Sequence, residues 1–84
     1  MPDPPRDPKT ELQEIAQAHG GGLPRYRIAA VDGPPHKRIF TAEVTVGEWQ
    51  PAQGQGRSKR AAEVEAARGL LRRIGELAAE KVPA

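Results

Sequence analysis

The sequence predicts an α+β domain: two helices packed on one face of a three-stranded antiparallel sheet, in the order α-β-β-β-α. Three observations lead there. An apolar face at helical spacing follows Asp7-Pro8, period-two alternation occupies the middle of the chain, and a longer apolar stripe recurs every fourth residue in the last third. With 84 residues there is room for one domain and no more.

The elements follow in order. Residues 1–6 are proline-rich and without periodicity, and read as a disordered lead or linker. Asp7 is a favoured N-cap, and Pro8 suits the first helical position, where a missing N–H is no loss. The first helix is expected over residues 8–18. Leu12, Ile15, Ala16 and His19 share one face, which places His19 with the core, while Thr10, Gln13, Glu14 and Gln17 share the opposite face. Gly20, Gly21 and Gly22 then end the helix, because glycine accepts the left-handed cap.

A first strand is expected over residues 25–31, where Tyr26 and Ile28 alternate with Arg25 and Arg27. Asp32 to His36 reads as a loop. The second strand alternates Phe40, Ala42, Val44 and Val46 with Thr41, Glu43 and Thr45, and Gly47-Glu48 reads as a tight hairpin turn. A third strand is placed at residues 49–55, although Pro51 and Gly54 fall inside it. Ser58 is a natural N-cap for the second helix. Ala62, Ala66, Leu70 and Ile74, with Ala67 and Leu71 beside them, form its apolar stripe. The folded domain is thus expected over residues 7–76, with 77–84 as a helix end and tail.

Composition excludes several function classes. The chain has no cysteine, so neither a disulfide framework nor a thiolate metal site is available. With His19 and His36 as the only histidines, no metal site and no cofactor are expected. No apolar run approaches the ~20 residues that span a bilayer, so no membrane partner is expected. The first eight residues lack the apolar segment of a secretory signal, and a cytoplasmic location is the expectation. Glu11 and Glu14 lie one helical turn apart, but nothing orients them as an acid–base pair. No catalytic residue is assigned.

Net charge is only +2, so distribution matters more than total. Basic residues gather in the last third: Arg57, Lys59 and Arg60, then Arg68, Arg72 and Arg73. The bland reading of such a run is a solvated helix face. Position argues otherwise. Lys59 and Arg60 fall in the first turn of a helix, where the backbone already carries about half a positive charge. Cations there oppose stability, but with free N–H groups they converge on phosphate. The P-loop spacing G-x-x-x-x-G-K-[ST] is absent, and so is the third glycine of the dinucleotide fingerprint. Stacking platforms for single strands are also lacking, since Tyr26 and Phe40 read as core. A polyanionic duplex read by its shape remains.

An ordered set of motifs carries a family resemblance. It comprises Asp7-Pro8-Lys9-Thr10-Glu11-Leu12-Gln13-Glu14, Pro24-Arg25-Tyr26-Arg27, Gly33-Pro34-Pro35-His36, Phe40-Thr41-Ala42-Glu43-Val44, Gly56-Arg57-Ser58-Lys59-Arg60, and Ala62-Glu63 with Ala66-Ala67. The chain resembles a double-stranded RNA-binding domain, most similar to the C-terminal domain of bacterial ribonuclease III, over about residues 7 to 74. The resemblance implies three RNA contacts. Thr10, Gln13, Glu14 and Gln17 would enter one minor groove and meet ribose 2′-hydroxyls. Pro34, Pro35 and His36 would enter the next. Arg57, Ser58, Lys59 and Arg60 would lie at the intervening phosphates. Glu63 stands where many members carry a lysine, as in the ribonuclease III subset, and speaks against a fourth phosphate contact. Taken alone, Gln13 and Gln17 read as solvent-facing, and His36 as a plain loop histidine.

The expected function is shape-selective, largely sequence-independent binding of double-stranded RNA without catalysis by this chain. Two alternatives stay open. The chain is the RNA-targeting domain of a ribonuclease III endonuclease, with the catalytic domain as its partner in cis, or it is a dimerising, protein-interacting version of the same fold.

Overall fold

The structure is a computed structural model and describes residues 7–81. The expected lead at 1–6 and the tail at 82–84 lie outside the described residues. The order is α1 (Pro8–Ala18), β1 (Arg25–Asp32), a short 3-10 turn (Pro35–Lys37), β2 (Ile39–Thr45), β3 (Ala52–Gly56) and α2 (Lys59–Lys81). The three strands form one antiparallel sheet in the order β1-β2-β3.

Helix α1 starts and stops where the sequence says it should. The Asp7 carboxylate accepts from the Lys9 backbone N–H at 3.1 Å. At the far end Gly20 takes a left-handed φ of +73°. Its N–H donates to Gln17 O and that of Gly21 to Ala16 O, which closes the helix as a Schellman motif.

The sheet separates two faces by strand parity. Tyr26, Val44 and Ala52 are cross-strand neighbours on one face, and Arg27, Glu43 and Gln53 on the other. The first face meets the helices. The second is polar and laced across the strands: Arg27 Nε donates to Glu43 at 3.1 Å, Gln53 to Glu43 at 3.3 Å, and Gln55 to Thr41 at 3.2 Å. Donation from Arg27, then from Gln53, holds the Glu43 carboxyl below the usual carboxylate range. A one-residue irregularity at Ala29 interrupts the β1–β2 register between Ile28 and Ala30.

Helix α2 lies on β2 and β3, and α1 packs against α2. One core results, containing Leu12 and Ala16 from α1, Ala42 and Val44 from β2, Val46, Ala52, and Ala62, Ala66, Ala67 and Leu70 from α2. Tyr26, Ile28, Phe40, Trp49, Leu71 and Ile74 pack around it. This core is small in volume, so it depends on close approach. A Cβ on Gly54 would come 2.2 Å from the Ala66 amide nitrogen, and one on Gly56 would come 2.7 Å from Ala62 N. Glycines on β3 and alanines on α2 thus bring strand and helix backbones together.

Three sequence expectations need correction. The third strand begins at Ala52, not at residue 49, because Pro51 has no N–H for the ladder and the chain is still turning at Trp49. The β2–β3 connection is correspondingly not a tight two-residue hairpin. It covers residues 46–51, with a turn closed by Trp49 N–H on Val46 O at 2.9 Å. His19 is not a core residue. It caps α1 at the surface, and its ring meets Trp49 edge-on with centroids 6.0 Å apart.

Candidate nucleic-acid interface

Three segments named by the sequence reading are exposed on this scaffold. On α1, Leu12 and Ala16 point into the core, so Thr10, Gln13, Glu14 and Gln17 are turned outward, and all four are exposed. A helix that buries one stripe must present the other.

The β1–β2 connection is the second segment. Gly33 has φ +89°, and a Cβ there would fall 2.5 Å from the Lys37 carbonyl oxygen. Only glycine lets the chain fold back this tightly. Pro34 O then accepts from Lys37 N–H at 2.8 Å, which closes the 3-10 turn. Pro34, Pro35 and His36 are exposed on this connection, with Lys37 and Arg38 beside them.

The third segment is the start of α2. Ser58 Oγ accepts from Ala61 N–H at 3.0 Å, and Ser58 O accepts from Ala62 N–H at 3.0 Å. Ser58 is therefore the N-cap, and its hydroxyl is engaged in that role. Arg57, Lys59 and Arg60 are exposed and have no carboxylate partner among the described residues. Four other cations are used internally. Lys9 pairs with Glu63, Arg27 with Glu43, and Arg68 with Glu65. Arg73 donates to the carbonyls of Gln50 and Pro51 at 2.7 and 3.2 Å, pinning the β2–β3 connection. The basic content of the last third thus divides. Arg68 and Arg73 serve the fold, Arg72 is exposed further along α2, and Arg57, Lys59 and Arg60 project charge without a carboxylate partner among the described residues at the positive end of the helix.

Sheet register brings two of these segments together. Phe40, at the start of β2, pairs with Gly56, at the end of β3. The β1–β2 connection and the start of α2 therefore leave the same end of the sheet. Lys37 and Arg38 join that end, and the sequence reading missed them. Their signal was present as His36-Lys37-Arg38, but only the strand register shows that it adjoins the cluster at Arg57.

Among the described residues, no group of three or more His, Asp or Glu side chains comes together as a metal site. No helix among them is long and apolar enough to cross a membrane.

A fold of this order, with exposed basic charge at a helix start and a glycine-hinged loop beside it, defines a polyanion-binding α-β-β-β-α module. The double-stranded RNA binding motif family matches residues 8–74, and the chain belongs to that family. Among curated relatives, ribonuclease 3 of Mesorhizobium japonicum is 53% identical over 70 residues, which cover 83% of this chain and 32% of the relative. Ribonuclease 3 of Caulobacter vibrioides is 51% identical over 71 residues, covering 84% and 31%. The chain spans about a third of the length of the curated relatives it matches. Among solved structures, the first dsRBD of protein HYL1 superimposes with a TM-score of 0.68 at 33% identity, covering 81% of this chain and 96% of that one. The second dsRBD of DRB4 gives a TM-score of 0.61 at 35% identity, covering 80% and 93%.

Proposed function

We propose that this domain binds double-stranded RNA by shape, with three segments meeting one side of an A-form duplex. Thr10, Gln13, Glu14 and Gln17 of α1 face one minor groove, where Gln13 and Gln17 donate to and accept from ribose 2′-hydroxyls. Pro34, Pro35 and His36 face the next minor groove. Arg57, Lys59 and Arg60 hold phosphates across the intervening major groove, and Ser58 caps the helix that presents them. Domains of this kind cover ~16 bp with little sequence preference. The observation that carries the reading is the trio Arg57, Lys59 and Arg60, exposed and without a carboxylate partner among the described residues at the positive end of α2. Folding does not need that charge there, and a phosphate backbone does.

The relatives named ribonuclease 3 extend the reading. We infer that within such a protein the domain supplies duplex binding, that a catalytic domain in cis supplies hydrolysis, and that this chain does not itself cut.

The test is a mobility-shift titration of the chain with duplex RNA and duplex DNA of one sequence. RNA is expected to bind more tightly, because B-DNA offers no 2′-hydroxyls in its minor groove. Gln13→Ala with Gln17→Ala is expected to erode that preference. Equal binding of the two duplexes by the native chain would overturn the mechanism.

A further inference from the structure

One ion pair joins the two halves of the proposed interface without belonging to either. Lys9 Nζ, on α1, lies 2.7 Å from Glu63 Oε1, on α2. The same ammonium sits 4.6 Å from the centroid of the Tyr26 ring, on β1. A carboxylate and an aromatic face thus hold one cation, and three elements meet at it. The two charged side chains are 33% and 25% exposed, so the pair is partly withdrawn from water.

Its place in the sequence gives it a consequence. Lys9 immediately precedes Thr10, the first residue of the outward face of α1. Glu63 is four residues beyond Lys59, so it is the neighbour of Lys59 one turn further along α2. The pair therefore ties the beginning of the groove-facing surface to the helix that carries the phosphate-holding cations. Binding a duplex at a groove and at adjacent phosphates together requires a set separation between the two, and a small misplacement of either weakens both.

We propose that Lys9 and Glu63 are positioning residues for duplex RNA recognition, their ion pair against the Tyr26 ring fixing α1 relative to the start of α2. The proposal rests on the interface reading above. It makes a prediction opposite in sign to simple electrostatics. If Glu63 were only a negative charge beside a polyanion, removing that charge would tighten binding. If it positions α1, removing the charge loosens binding.

The experiment uses the full chain and its Glu63→Gln variant, each first shown by circular dichroism to unfold cooperatively. Duplex RNA and duplex DNA of one sequence are titrated across a range of salt. Glu63→Gln is expected to weaken RNA binding about three- to fivefold, lower the RNA-over-DNA preference, and leave the salt slope unchanged, since no phosphate contact is lost. A purely structural role would move melting temperature and leave that preference intact. The reversed pair, Lys9→Glu with Glu63→Lys, keeps net charge and is expected to regain most of the preference. Unchanged or tighter RNA binding by folded Glu63→Gln overturns the proposal, and so does failure of the folded reversed pair to regain the preference. A native chain that binds no duplex RNA would instead overturn the interface reading, before any variant is compared.

Discussion

Gly54 and Gly75 are the same residue in opposite circumstances. A methyl group on Gly54 would press into the α2 backbone at Ala66 and Glu65, whereas one on Gly75 meets nothing within 4 Å. Gly54→Ala is therefore expected to destabilise the fold by about 3 kcal/mol, since the obstacle is backbone and cannot rotate away. Gly75→Ala, in a helix with open space beside it, is expected to stabilise by about 0.5–1 kcal/mol. Urea unfolding of the two variants checks both signs. Tyr26 makes a second case. Its hydroxyl is buried and has no hydrogen-bond partner among the described residues. Burial, helped by the Glu63 and Asp7 carboxylates, pushes its pKa from the usual 10 up to about 12. Below pH 10 native and unfolded chains both hold the phenolic proton. Between pH 10 and 12 the unfolded chain gives it up first, so stability falls as pH rises through that window. Tyr26 is the only tyrosine, so phenolate absorbance reports it alone and should rise well above pH 10 while the chain stays folded. Tyr26→Phe is expected to be as stable as the native chain at pH 7 and to lose this part of the alkaline decline. A Tyr26→Phe variant with an undiminished decline between pH 10 and 12 would contradict the assignment.

Elements were legible where local chemistry dictates them. Asp7-Pro8 and the three glycines after His19 bracket α1, and alternation from Phe40 through Val44 marks β2. The third strand was harder, because its inward residues, Gly54 and Gly56, are chosen for closeness to α2 rather than for strand propensity. A glycine in a strand can mean weakness or close approach, and only the packed helix decides between them. His19 was misplaced because helical spacing continues past the last helical residue, whereas the chain turns away at Gly20. The outward residues of α1 and the cluster at α2 were legible, since one follows from amphipathicity and the other from charge at a helix start. Lys37 and Arg38, and the link from Lys9 to Glu63, depend on register and packing between segments far apart in the chain. The helix start carries its own prediction. Lys59→Ala with Arg60→Ala should weaken binding to all duplex RNA sequences alike, with the log-affinity against log-salt slope flattened by roughly one unit per lost phosphate contact. Stability should hold or rise slightly, because both cations oppose the helix dipole. Unaltered affinity and slope in the folded double variant would remove this cluster from the interface.

At the scale of the molecule, the carboxylates of the described residues are dispersed, with no three acidic or histidine side chains gathered together among them. Hydrolysis of a phosphodiester by metal-activated water needs several carboxylates converging on one or two cations. Here Glu63 is drawn to Lys9, Glu65 to Arg68, and Glu43 to Arg27 and Gln53 on the sheet face away from the helices. Glu48 lies in the β2–β3 connection, and Glu14 on the outward side of α1. Histidine-based cleavage is no better served. His19 rests on Trp49 beside the β2–β3 connection, while His36 is on the β1–β2 connection at the other end of the sheet. An acid and a base placed at opposite ends of a sheet cannot act on one scissile phosphate. The same scaffold suits the proposed binding, since it exposes a helix face, a loop and a basic helix start, the last two at one end of the sheet, without needing their side chains to converge on a single atom. Duplex RNA incubated with the purified chain and magnesium or manganese is therefore expected to stay intact under conditions where it is fully bound. Denaturing gel electrophoresis of the RNA reads the outcome. Strand scission that follows the chain through purification and disappears in Glu14→Ala would place an active site on α1 and defeat the separation of binding from cutting.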